Sequence, residues 1–154
     1  MGARKIAAYA RILYHWRVRR STRLDYVPED LSIELTNTCN FKCAFCPQSD
    51  PDHFQHVSRT ALSPAQADVL FGKIRAGGVR TDVIHWTLDG EPFVNSEIAE
   101  ICEVALGHGF RNFIFATNGF FLSEKRLSEL PADRGAEYTL CVDFCADEPY
   151  FETY

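Results

Sequence analysis

The sequence predicts an α/β fold, a partial parallel (β/α) barrel with about four βα units present that reads as truncated. Three observations lead there. From residue 31 onward, short β-rich runs alternate with amphipathic helical stretches. The alternation recurs at roughly thirty-residue intervals, the size of a βαβ unit. The whole chain has 154 residues, well short of the roughly 250 that a closed eight-fold barrel needs.

The first element stands apart from that pattern. Ile6, Tyr9, Ala10, Leu13 and Trp16 fall at helical spacing, and the cations lie mostly on other faces, which predicts a basic amphipathic helix. No acid precedes Asp25, so residues 1–24 carry +7 and the rest of the chain −12. Two domains are expected: a basic arm over 1–24 and an acidic body over 25–154. The arm either packs on the body or lies on an anionic membrane surface through residues 1–23.

The body follows in order. Leu31 to Leu35 reads as the first strand, ending at Thr36-Asn37-Thr38. Ser63, Pro64 and Gln66 form a helix start with N-cap, first-turn proline and capping box; Val69, Leu70, Phe71 and Ile74 supply its apolar face, and Gly77-Gly78 ends it. Val83 to Leu88 is a buried-type strand before Asp89-Gly90-Glu91-Pro92. Ser96 opens a helix bearing Ile98, Ile101, Val104 and Ala105, stopped by Gly107 and Gly109. Asn112 to Ala116 is the third strand, followed by Thr117-Asn118-Gly119. Ser123 starts a short helix that Pro131 stops, Tyr138 to Val142 is the fourth strand, and Asp147 to Tyr154 looks like the entry to a further helix.

Composition narrows the function. With 46% hydrophobic and 24% charged residues, the chain is neither disordered nor collagenous. An acidic body lacks the basic face of a phosphate-backbone binder, so no nucleic acid is expected. Arg11 interrupts the apolar residues that a signal peptide would need, and no run approaches the ~18 apolar residues of a membrane span. The cytoplasm is the expected location, and six cysteines there read as reduced thiols or metal ligands.

Three of these cysteines form the sharpest feature. Cys39, Cys43 and Cys46 make a C-x3-C-x2-C array directly after a strand. Three thiolates so close can wrap one corner of a metal cluster. Iron-sulfur carriers usually take four cysteines, so three from one loop suggest a cubane whose fourth iron stays open. A structural zinc site completed by His53 or His56 is the competing reading. Cys102 and Cys141 read as core thiols, His85 as a core or rim residue, and Cys145 as a bystander or a substrate-facing thiol.

This array, with Phe45 just before its last cysteine, resembles the signature of the radical S-adenosylmethionine (radical SAM) superfamily, especially its SPASM-type, cofactor-maturing branch. Ile33 to Asn40 and Cys46-Pro47 resemble its first strand and cluster loop. Asp89-Gly90-Glu91-Pro92 is similar to its Gly-Glu motif and Thr117-Asn118-Gly119 to its third-strand end. Val142-Asp143, Ala146-Asp147 and Glu152-Thr153-Tyr154 resemble its fourth-strand turn and helix start. The resemblance implies that Cys39, Cys43 and Cys46 hold a [4Fe-4S] cluster whose fourth iron takes the amino and carboxylate groups of SAM. It places Gly90 and Glu91 toward the methionyl ammonium, Asn118 and Asp143 near the ribose or carboxylate, and Phe45 near the adenine. Taken singly, Asp89-Gly90 and Thr117-Asn118-Gly119 are only turn sequences, Glu91 a solvated acid beside Pro92, and Asp143 a strand-end carboxylate. All four segments nevertheless begin where a predicted strand ends, the edge at which parallel α/β folds bind ligands.

The function expected is that of an oxidoreductase-like radical initiator acting on a small molecule or peptide, with a reductant such as flavodoxin or ferredoxin. The alternative is an iron-sulfur electron-transfer or metal-stabilised binding module that does not cleave SAM.

Overall fold

Four parallel strands lie side by side in the order in which the chain makes them: β1 (Ser32–Ile33), β2 (Val83–Trp86), β3 (Asn112–Thr117) and β4 (Glu137–Val142). The structure is a computed structural model that describes residues 3–20, 31–132 and 134–143. A doubly wound sheet reverses its strand order at a switch point. This sheet runs on in one direction, as a barrel wall does, and supports the predicted fold class. Residues 21–30, across the expected boundary between arm and body, lie outside the described residues, as do Cys145 and the expected helix entry at 147–154.

The helices are α1 (Ala3–Leu13), continued by a π-helical stretch at Tyr14–Arg19, then α2 (His53–His56), α3 (Pro64–Ala76), α4 (Ile98–Gly107) and α5 (Glu124–Ser128). The capping box of α3 forms as read: Ser63 Oγ accepts from Gln66 N, and Gln66 Oε1 accepts from Ser63 N. Two strands are shorter than predicted. β1 stops at Ile33 because the carbonyl of Leu35 leaves the ladder to accept from Leu62 N at 2.8 Å and Asn95 Nδ2 at 3.0 Å. β2 stops at Trp86, where the chain turns to bring Gly90 against Thr36.

The sheet has two unlike faces. Ile84, Trp86, Phe113, Phe115 and Thr117 alternate along β2 and β3 and are all buried. The four apolar ones share a core with Ala67 and Phe71 of α3 and Ile98, Ile101, Cys102, Ala105 and Leu106 of α4. Trp86, Phe113, Phe115 and Tyr138 stack in offset pairs across β2, β3 and β4, with centroids 5.4–6.4 Å apart, and Phe71 meets Trp86 edge-on. Each such ring contributes roughly 1.5–3 kcal/mol by leaving water, with about 0.5–1.5 kcal/mol more per ring pair. Cys102 is fully buried, as predicted, and burial pushes its thiol up to about 12.

The opposite face carries His85, Ile114 and Thr139 in one register row and Ala116 and Cys141 in the next. Cys141 is exposed there, which corrects its reading as a core thiol: the strand alternation turns Leu140 and Val142 inward and Cys141 outward. Phe115→Ala is expected to lower stability by about 3–5 kcal/mol in a denaturant titration. Glu137→Gln, exposed on β4, should change it by no more than about 0.5 kcal/mol.

Candidate functional site

The predicted loops meet at the carboxyl ends of the strands. After β1, Thr36, Asn37 and Thr38 are fastened by a returning segment. Thr36 Oγ1 donates to Thr60 O at 2.8 Å, Asn37 Nδ2 donates to Ser58 O at 2.8 Å, and Asn37 Oδ1 accepts from Thr60 N at 2.7 Å. Asn95, itself buried, donates to both Leu35 O and Leu62 O. The cysteine loop therefore springs from a closed neck.

Within the loop, Cys46 N donates to Cys43 O at 2.8 Å and Ser49 N to Cys46 O at 3.0 Å, tight turns that keep the last two cysteines together. All three cysteines are half-buried and none is in a disulfide. Gln48, buried two residues past Cys46, donates from Nε2 to Asn37 O at 3.0 Å and to Asp89 O. It fastens the cysteine loop to the loop after β2.

That second loop makes the closest approach of the site. A Cβ at Gly90 would lie 1.6 Å from Thr36 O, so only glycine lets the two main chains touch here. Glu91 N then donates to Thr38 O at 3.0 Å, and Asp89 N to Glu34 Oε1 at 3.0 Å. The Glu91 carboxylate is 2% exposed and takes three donors: Phe93 N (3.1 Å) and Thr117 Oγ1 (2.7 Å) on Oε1, and Asn118 N (2.7 Å) on Oε2. It links the end of β2 to the end of β3.

Asn118 extends the link back to the cysteines. Its Nδ2 donates to Asn40 Oδ1 at 3.0 Å and points at Cys39 Sγ at 3.7 Å. Phe41 N also donates to that sulfur at 3.4 Å, and the rings of Phe41 and Phe120 meet edge to face. Burial pushes the Cys39 thiol up. The Phe41 N–H draws it down, the negative charges of Glu91 and Cys46 push it further up, and the Asn118 amide draws it down again. Gly119, at φ 78°, turns the chain away with a Cβ position 3.1 Å from Val142, and Asp143 N donates to Thr117 O at 2.9 Å.

Of the predicted site residues, the structure thus joins Cys39, Gly90, Glu91 and Asn118 in one bonded set and carries Cys43 and Cys46 on the same loop. Phe45 is 81% exposed, and the Asp143 side chain is exposed at the end of β4. Gln48 and Asn95 are not found from the sequence, since a lone polar residue in a loop says nothing of the distant carbonyl it will reach, and Glu34 and Thr117 stand inside the motifs without a role.

Three half-buried thiols on one loop, with the Phe41 N–H and the Asn118 amide aimed at Cys39 sulfur, are donors of the kind that an iron-sulfur cluster takes.

The profile described as "Radical SAM superfamily" matches residues 33–134. The chain belongs to the radical SAM superfamily. The matched span runs from β1 through the cysteine loop to the end of β3 and beyond α5, and it describes the superfamily as a whole without selecting the SPASM-type branch. Among curated relatives, a probable GTP 3',8-cyclase of Metallosphaera sedula is 33% identical over 95 residues, 62% of this chain and 28% of that protein. A second, from Sulfurisphaera tokodaii, is 30% identical over 108 residues, 69% of this chain and 32% of that protein. The GTP 3',8-cyclase of Aquifex aeolicus is 28% identical over 99 residues, 62% and 29% of the two chains. The chain spans about a third of the length of these relatives. In fold it is similar to BtrN crystallised with AdoMet and 2-DOIA, with a TM-score of 0.63 at 20% identity over 85% of this chain and 53% of that one. An open conformation of BtrN gives 0.57 at 21% identity over 76% and 58%.

Two substitutions test the geometry. Gly90→Ala should cost at least about 1–3 kcal/mol, since the added carbon must displace main chain. Glu91→Gln turns an amide N–H₂ toward groups that are themselves donors, and should cost about 1–3 kcal/mol. Denaturant midpoints check both. A Gly90→Ala protein as stable as wild type would show that the loops do not meet as described.

Proposed function

We propose that this protein is a radical SAM enzyme that uses SAM to initiate radical chemistry on a small-molecule or peptide substrate. The observation that carries the reading is the cysteine loop itself: three half-buried thiols, none in a disulfide, on the loop leaving β1, which is bonded through Asn118 to the end of β3, within a span that matches the superfamily. Cys39, Cys43 and Cys46 would hold the [4Fe-4S] cluster. When bound and reduced, that cluster supplies one electron to SAM, breaking the sulfur–C5′ bond to give methionine and a 5′-deoxyadenosyl radical, which takes a hydrogen atom from the substrate.

The residues of the chain divide the remaining work. The Asn118 amide and the Phe41 N–H donate toward Cys39 sulfur, drawing electron density from it as hydrogen bonds to cluster sulfurs do. Glu91 already accepts three protein donors, so on its loop the SAM ammonium is assigned to the main-chain carbonyl of Gly90, which no described donor engages. Glu91 then acts by holding that carbonyl and Asn118 in place. Phe45 and Asp143, both exposed at the rim, are free to close on adenine and ribose. GTP 3',8-cyclases and BtrN carry different names of substrate on a similar frame, which suits a frame that supplies shared chemistry. Flavodoxin or ferredoxin would deliver the electron. No helix among the described residues is long and apolar enough to cross a membrane, in keeping with cytoplasmic work.

Anaerobic reconstitution with iron and sulfide, then dithionite and SAM, should yield 5′-deoxyadenosine and methionine by chromatography. Alanine at Cys39, Cys43 or Cys46 should abolish both iron uptake and product. A wild-type protein that takes up a full cluster and leaves SAM intact would overturn the enzyme reading in favour of an electron-transfer module. One that takes up no iron would overturn both.

A further inference from the structure

The N-terminal helix keeps its apolar residues in solvent. Ile6, Tyr9, Leu13 and Trp16 are 52–63% exposed, and Ile12 and Val18 are exposed beside them, so the stripe that the sequence leaves free to pack on the body does not do so. Arg11, Arg17 and Arg20 are also exposed, and the Arg17 guanidinium lies 4.4 Å over the Trp16 ring. The helix is strongly one-sided yet not apolar overall. That combination marks helices that lie in a membrane interface rather than cross it.

We propose that residues 3–20 dock this protein on an anionic phospholipid surface. Ile6, Tyr9, Leu13 and Trp16 enter the boundary between headgroups and acyl chains, while Arg11, Arg17 and Arg20 meet lipid phosphates. Charge complementarity selects this occupant: seven cations and no acid stand before Asp25, and each basic side chain near an anionic leaflet adds to binding. Tryptophan and tyrosine are the side chains that settle at headgroup depth. A second copy would offer carboxylates to the arginines, but among the described residues of the body the exposed large apolar side chains, Phe45, Val57, Val69, Leu88, Phe120 and Leu127, are spread over loops and two helices and give the stripe no common seat.

The test is co-sedimentation of the full chain with vesicles of phosphatidylcholine alone and of phosphatidylcholine mixed with phosphatidylglycerol. Binding should require phosphatidylglycerol and weaken as salt shortens the Debye length. Arg17→Gln and Arg20→Gln should each lower the partition coefficient about fivefold, and Trp16→Glu should abolish sedimentation with an unchanged circular dichroism spectrum of the body. Equal binding to both vesicle types, no binding to either, or a wild-type dimer that Trp16→Glu turns into a monomer would each overturn the proposal, the last by showing that a second copy covers the stripe.

Discussion

A buried carboxylate with three donors organises this end of the molecule. Glu91 takes N–H groups from its own turn and from Asn118, and a hydroxyl from Thr117. A charged group withdrawn from water is tolerated only with partners of this kind, so the ends of β2 and β3 are held in one arrangement. Gly90 sets the other constraint by pressing its main chain on Thr36. From these two residues the rest follows: the neck at Thr36 to Thr38 is placed, Asn118 is aimed at the cysteine loop, and Gln48 finds carbonyls on both sides.

Much of the fold was legible in the sequence because it rests on local rules. Alternation along β3 puts Phe113 and Phe115 on one face, and the Ser63–Gln66 capping box announces α3. The misreadings have physical causes. Nothing near Leu35 in the sequence signals that its carbonyl leaves the ladder, because the partners, Leu62 and Asn95, are brought in by the fold and not by the neighbouring residues. Cys141 reads as buried since a strand interior is usually covered, yet the described residues cover this sheet on one face only.

Cys39, Gly90, Glu91 and Asn118 all stand out in the sequence; the structure bonds Asn118 to Glu91, aims it at Cys39, and presses Gly90 on Thr36. Glu91 is expected from the sequence to face a ligand, whereas both its carboxylate oxygens accept from protein donors. Gln48 and Asn95 show the limit of pattern reading: a polar residue that is buried by long-range bonds has no periodicity to betray it.

The cluster proposed on Cys39, Cys43 and Cys46 would leave one iron open to SAM. Electron paramagnetic resonance of the anaerobically reconstituted, reduced full chain tests it most directly, recorded with and without SAM carrying ¹⁵N in its amino group. SAM should change the cluster's spectrum, and electron-nuclear double resonance should detect coupling to that nitrogen. A reduced cluster whose spectrum is the same with SAM present, and shows no nitrogen coupling, would contradict it.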